Sequence, residues 1–185
     1  MELADGVRRY IPCRAERSAP LNDWSLTWKL CRPHGLDSDL TSFNFKLLHG
    51  LLVTRERMQQ HTPRSSALCT HCHDQVTETL QHALLHCSYN NGAGMSLVAV
   101  VQRQLPDVTP AGLLRLELPN IQQDDELSIV TLASTVLMEI WTKRLNQVRI
   151  RLYDIRATLE ARCLLLRETR FSAEIETLVE MLSQF

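Results

Sequence analysis

Apolar positions along this chain recur mostly at steps of three and four, the spacing that lines one face of a helix. Between Trp24 and Met58 the repeat runs through Phe43, Leu47, Leu48, Leu51 and Leu52. Pro33-His34-Gly35 precedes it, Pro63 follows, and Thr41 or Ser42 is the expected N-cap. Gly50 falls inside this pattern, which predicts a bend or a close approach of two backbones. A shorter repeat from Met95 to Leu105 stops at Pro106, and another starts at Thr109 or Pro110 and runs to Leu118. From Asn120 to Phe185 there is neither Gly nor Pro, so the economical reading is two long helices or one very long one. β-Branched residues are scattered or sit inside the helical repeats, and no segment repeats another. The fold class is therefore mostly α. Residues 1–20 show no sustained period and read as a loosely ordered entry segment.

Composition narrows the picture. With 44% hydrophobic and 22% charged residues the chain of 185 has the means to bury a core. Its 20 Lys and Arg against 21 Asp and Glu leave no overall pull on nucleic acid or on an anionic membrane, so any basic surface has to be local. Glu139 and several Ser and Thr interrupt the apolar segment from Ile129 to Trp141, which excludes a membrane-spanning helix of about 18 uninterrupted apolar residues. No membrane partner is expected. The start of the chain carries Glu2, Asp5, Arg8, Arg9 and Arg14 and no apolar stretch of the secretory kind. The expected setting is intracellular, nucleus or cytoplasm, where six cysteines point to thiols or metal ligands before disulfides.

Residues 65–91 have a different texture, dense in Cys, His and Thr. Cys69-Thr70-His71-Cys72 places two thiols at the spacing that lets a tight turn aim both sulfurs at one ion. His82 follows after nine residues and Cys87 after four more. This gives a Cys₃His set with the ligand chemistry of structural Zn²⁺. Asp74 or Thr77 can cap a short helix from which His82 projects. On an α-helix Cys87 lies about 140° round from His82, so it joins the same ion only if the helix ends near His86 and the chain turns back. His86, four residues from His82 on one face, is the alternative fourth ligand. His71 and His73 read as surface residues. Four protein ligands imply a closed structural site, in which Glu78 acts as a base only if one ligand is missing.

The run Cys69-x2-Cys72 followed by Glu78-Thr79-Leu80-Gln81-His82-Ala83-Leu84-Leu85-His86-Cys87 resembles the zinc-binding domain that follows the polymerase in non-LTR, LINE-like retrotransposon reverse transcriptases. The family pattern is C-x2-C, a variable spacer, then E-T-x-x-H-x4-C. The segment from Ser42 to Met58 is similar to that family's preceding helix, with Phe45 where a Trp is common. Ile140 to Arg144 and Leu164 to Phe171 are similar to the C-terminal tails of such reading frames. The resemblance favours Cys87 over His86, and it implies binding of RNA or DNA in the setting of retrotransposition. The polymerase's F/Y-A-D-D carboxylate motif is absent, and Asp124-Asp125 follows Gln122-Gln123 in a polar linker, so no polymerase or other enzymatic activity is expected. A retroviral nucleocapsid knuckle fits less well, because its Cys-to-His spacer is much shorter.

At the C-terminal end Met138, Trp141, Leu145, Val148, Leu152, Ile155 and Leu159 alternate steps of three and four like a coiled-coil seam. Arg144, Arg149, Arg151 and Arg156 flank it, which disfavours a parallel homodimer by repulsion. From Lys143 to Arg170 eight basic residues face three acidic ones. Lys143, Arg144, Arg149, Arg151 and Arg156 are thus the candidate phosphate contacts. Glu174, Glu176 and Glu180 follow and can fold back on the arginines. Trp24, Trp28 and Trp141 lie in apolar patterns and read as core. Cys13, Cys31 and Cys163 read as inert thiols.

The expected organisation is an entry segment over 1–20, a helix with the zinc-binding domain over 21–91, a helical linker region over 92–127 and a long C-terminal helical region over 128–185. The first functional expectation is a zinc-dependent nucleic-acid-binding module. The alternatives are a zinc-stapled helical scaffold that takes an acidic helical protein partner, and a retrotransposon relic without independent function.

Overall fold

The computed structural model describes residues 24–161, apart from 34, 35, 122, 152, 156 and 160. The α-helices with defined bounds are α1 (Trp24–Cys31), α2 (Ser38–Leu48), α3 (Arg55–His61), α4 (Ala93–Gln104), α5 (Pro110–Leu114) and α6 (Gln123–Leu145), and residues 153–155 and 157–159 are helical as well. A π-helical turn (His82–His86) and a 3₁₀ turn (Ser88–Asn90) lie between α3 and α4. The mostly helical fold read from the periodicity is what the chain adopts. Extended pairing among the described residues is limited to an antiparallel bridge between Leu68 and Thr77.

The architecture is organised around α6. Every residue from Ile129 to Leu137 is buried, so this part of the helix is enclosed on all sides. It packs against α1, α2, α4 and the π-turn. The polar residues on its enclosed surface are partly matched: Ser134 Oγ donates to Asn44 Oδ1 of α2 at 2.7 Å, and Asn44 Nδ2 donates to the Cys31 carbonyl of α1 at 3.5 Å. The apolar core is one continuous cluster reaching from Leu30 to Leu159. Trp141 is part of it, Trp28 packs on its edge and Cys31 is buried within it. Cys13, Cys163 and the glutamates from 174 onward lie outside the described residues. Among the described residues no helix is long and apolar enough to cross a membrane.

Several helix ends depart from the sequence expectation for local reasons. The N-cap of α2 is Asp37, whose Oδ1 accepts from Asp39 N at 2.7 Å, rather than Thr41 or Ser42. Gly50 stops this helix instead of bending it. With φ 60° it occupies the left-handed position, Gly50 N donates to Leu47 O at 3.0 Å and Leu51 N to Lys46 O at 2.7 Å, which is a Schellman motif. Thr109 caps α5 through its Oγ1, and that helix ends at Leu114, short of Leu118, because Leu116 turns to φ 53°.

The same C-terminal motif ends α6 with no glycine or proline to announce it. Gln147 takes φ 55°, Gln147 N donates to Arg144 O at 3.1 Å and Val148 N to Lys143 O at 2.9 Å. A left-handed non-glycine residue costs about 1–2 kcal/mol. Burial of Ile150, Ile155 and Leu159 in the core beyond the turn offsets it, and Asn91 Nδ2 fastens the Ile150 carbonyl at 2.8 Å. The heptad seam is consequently broken. Trp141, Ile155 and Leu159 face the core, Leu145 and Val148 are exposed, and Leu152 lies outside the described residues.

Candidate metal centre

Two local structures bring the four donors together. The first is a ribbon in which Cys69 N donates to Val76 O at 2.9 Å and Glu78 N to Ala67 O at 2.8 Å, closed by Gln75 at φ 50°. Cys69 and Cys72 lie in its loop. The second is the helical turn after Thr79, whose Oγ1 accepts from His82 N at 3.0 Å and so supplies the cap expected from Asp74 or Thr77. His82 projects from this turn and Cys87 follows it in extended conformation.

The 140° problem is solved by rewinding. Cys87 N donates to His82 O at 2.8 Å, an i to i+5 bond, and this wider π-turn brings Cys87 to the side of the helix where His82 projects. An α-helix would have used the Ala83 carbonyl at that step. Here Ala83 O is released into a buried site and accepts from Asn90 Nδ2 at 2.8 Å, so that carbonyl is not orphaned. The turn lies tight against α4. A Cβ on Gly94 would stand 2.5 Å from Leu85 Cα and closer still to the Leu84 carbonyl.

The donor atoms of Cys69, Cys72, His82 and Cys87 all lie within 4.8 Å of one another. Cys69 Sγ is 3.8 Å from Cys87 Sγ, and Cys72 Sγ is 3.4 Å from His82 Nε2. Tetrahedral coordination with metal–sulfur bonds of about 2.3 Å separates two sulfurs by about 3.8 Å, so the donor set is sized for one ion. His86 is exposed, with Nε2 3.1 Å from Gln81 Nε2, and is not part of the cluster. His73 is exposed as expected, whereas the ring of half-buried His71 rests on Tyr89 at 5.1 Å.

The surroundings prepare the donors unequally. Burial opposes ionisation of Cys69, but the backbone amides of His71 and Cys72 and the Arg144 guanidinium together hold its thiol below the ordinary range. Burial raises Cys72, to about 12; the Asp74 backbone amide opposes this, while the side chains of Cys69 and Asp74 and the charge of Cys87 add to it. Burial, followed by the positive charge of Arg144, lowers His82 and favours the neutral ring that a metal requires.

Two residues beside the cluster acquire roles that the sequence did not announce. Arg144 Nη2 donates to Cys69 Sγ at 3.0 Å and to Glu78 Oε2 at 2.7 Å, and Nη1 donates to Cys87 Sγ at 3.3 Å. Glu78 Oε1 accepts from Arg55 N at the start of α3 at 3.2 Å. Arg144 is therefore no phosphate contact. Its side chain is 3% exposed, and both terminal nitrogens donate to sulfur or carboxylate. A readable signal existed: Leu137, Ile140, Trp141 and Arg144 follow helical spacing, which puts the arginine on the buried stripe.

The remaining basic candidates fare differently. Lys143 Nζ sits 3.0 Å from Asp154 and 3.6 Å from Glu139, and the hydrogen bond to Asp154 raises its pKa. Arg149 and Arg151 are exposed, Arg149 with a 3.5 Å contact to Asn91 Oδ1. Arg156 lies outside the described residues.

No curated protein and no solved structure matches the chain. Residues 10–93, just under half of its length, match the family model for zinc-binding in reverse transcriptase, and the four gathered donors all fall inside that stretch. Residues 10–93 are therefore similar to the zinc-binding domain in reverse transcriptase.

Proposed function

We propose that this chain is a zinc-dependent module that binds RNA or DNA and carries no polymerase activity of its own. One observation carries the reading: a Cys₃His cluster at tetrahedral spacing lies inside a segment that matches the zinc-binding domain in reverse transcriptase. Cys69, Cys72, His82 and Cys87 would hold the ion. Thiolate-rich tetrahedral sets suit Zn²⁺, and with four protein ligands the ion acts as a cross-link between ribbon and helical turn, with no position left open for chemistry.

The phosphate-facing surface is best sought at exposed Arg149 and Arg151, in the segment that follows α6. Lys143 contributes less because Asp154 and Glu139 offset its charge. Fluorescence anisotropy of labelled single-stranded RNA and duplex DNA tests the proposal. Affinity is expected to fall steeply with salt, and the double variant Arg149→Ala, Arg151→Ala is expected to lower the slope on duplex DNA by about 2, near 0.9 per lost contact. No binding even at low salt, or an unchanged slope, would refute it. The purified chain is expected to synthesise no DNA on a primed RNA template.

A second reading, a scaffold for a protein partner, has one observation in its favour. Exposed Val53, Met58 and Leu145 line a cleft of about 550 Å³ beside the cluster, together with Arg55, His71 and Tyr89. Binding of an acidic helical peptide with little salt dependence would favour it.

A further inference from the structure

The metal ligands lie inside residues 10–93, but the side chain that touches two of them does not. Arg144 comes from the last turn of α6, and its guanidinium meets Cys69 Sγ and Cys87 Sγ at 3.0 and 3.3 Å. Were Arg144 only the partner of Glu78, its two terminal nitrogens would be expected to fork onto the carboxylate. Instead a single nitrogen reaches Glu78 Oε2, at 2.7 Å, and both nitrogens address sulfur. Glu78 is itself held by Arg55 N, so the carboxylate fixes the position of the guanidinium from behind.

Charge gives this arrangement its meaning. Three thiolates and a neutral imidazole around Zn²⁺ leave one net negative charge, and Cys69, Cys72 and Cys87 are all buried. An uncompensated buried charge is costly, and a guanidinium that donates to the sulfurs sets positive charge against them, shared with the Glu78 carboxylate. We propose that Arg144 is a positioning residue of the metal centre, hydrogen-bonding the zinc-bound thiolates and tying retention of the ion to the docked C-terminal end of α6. This rests on the assignment of zinc to the four residues named above. The reverse transcriptase-type domain is then not self-contained: ion and helix end form one joint, and loss of the ion loosens residues 141–150.

The test uses the full chain with cobalt(II) in place of zinc, and with zinc itself. In Arg144→Met the sulfur-to-cobalt charge-transfer absorption should move to lower energy, because thiolates without their hydrogen bonds are stronger electron donors. The visible bands of tetrahedral cobalt should persist. Zinc affinity measured by chelator competition should fall about 10- to 100-fold. Hydrogen exchange across residues 141–150 should quicken when zinc is stripped from the wild type. Arg144→Lys keeps the charge with fewer donors and should give an intermediate band shift and affinity, so it carries the test if the methionine variant fails to fold. A folded variant with the wild-type band and wild-type zinc affinity overturns the proposal. So does a variant that loses thermal stability with no change in band, since Arg144 would then be a structural partner of Glu78 alone. A wild-type chain that gives no tetrahedral cobalt spectrum would instead bring down the metal assignment itself.

Discussion

The ribbon over residues 67–78 and α6 are ordered by different means. Among the described residues, Cys69, Cys72 and Cys87 form a separate small cluster with only Tyr89 packed against it. By contrast, α6 is enclosed on all sides from Ile129 to Leu137 and anchors the continuous core. Apolar burial suffices to order a helix of that kind and holds the helical turn through Ala83, Leu84 and Leu85, whereas the ribbon, with so little apolar surface, needs a cross-link. The two regions meet at Arg144, which belongs to the helix and serves the cluster. A structural ion and a hydrophobic core are two answers to the same entropy cost, and the donor cluster stands where apolar contacts are fewest.

Removing the cross-link gives the largest expected effect. Cys69→Ser should lose stoichiometric zinc, measured by metal analysis, and abolish hydrogen-exchange protection in the ribbon over residues 67–78. Binding of structural zinc contributes on the order of 10 kcal/mol in small zinc-finger peptides. Protection across Ile129–Leu137 should survive in the same variant, because that segment rests on its own apolar contacts. Unfolding of both regions together would erase the distinction.

The converse change attacks the core. Leu137→Ala removes a fully buried side chain and should cost about 2–5 kcal/mol in denaturant unfolding while leaving zinc stoichiometry at wild-type level. Asn90→Ala probes the seam between the regions. It strands the Ala83 carbonyl released by the π-turn, at a cost of about 1–3 kcal/mol, and it should weaken zinc binding because a return to α-helical bonding swings Cys87 away from His82. Wild-type zinc affinity in a destabilised Asn90→Ala chain would show that the turn geometry is set elsewhere.

The smallest expected effect concerns the paired helix ends. Gly50 and Gln147 occupy equivalent left-handed positions in two Schellman motifs. Gly50→Ala should destabilise by about 1 kcal/mol and Gln147→Gly should stabilise by less than about 1 kcal/mol in thermal unfolding.

Much of the site was legible in the chain. The spacing of Cys69, Cys72 and His82 named three donors and left the fourth between Cys87 and His86, with the family resemblance favouring Cys87, because tetrahedral thiolate chemistry tolerates few arrangements over so short a stretch. Helices with glycine or proline at their borders were also readable, α4 and the start of α5 among them. The end of α6 was not. Nothing local marks Gln147, and the helix stops there because Ile150, Ile155 and Leu159 return to the core, a gain that exists only once α6 is already packed.

The same division separates chemistry from context across the molecule. Donor chemistry, helical class and the absence of a long apolar span are properties of residue type and short-range spacing, which the chain carries whatever its fold. Whether Arg144 meets a phosphate or a thiolate, and whether Cys87 or His86 faces the cluster, depends on which groups burial brings within hydrogen-bond reach. Electrostatic partners act over a few ångströms in space without regard to separation along the chain, so only the packed structure could pair residue 144 with residues 69, 78 and 87.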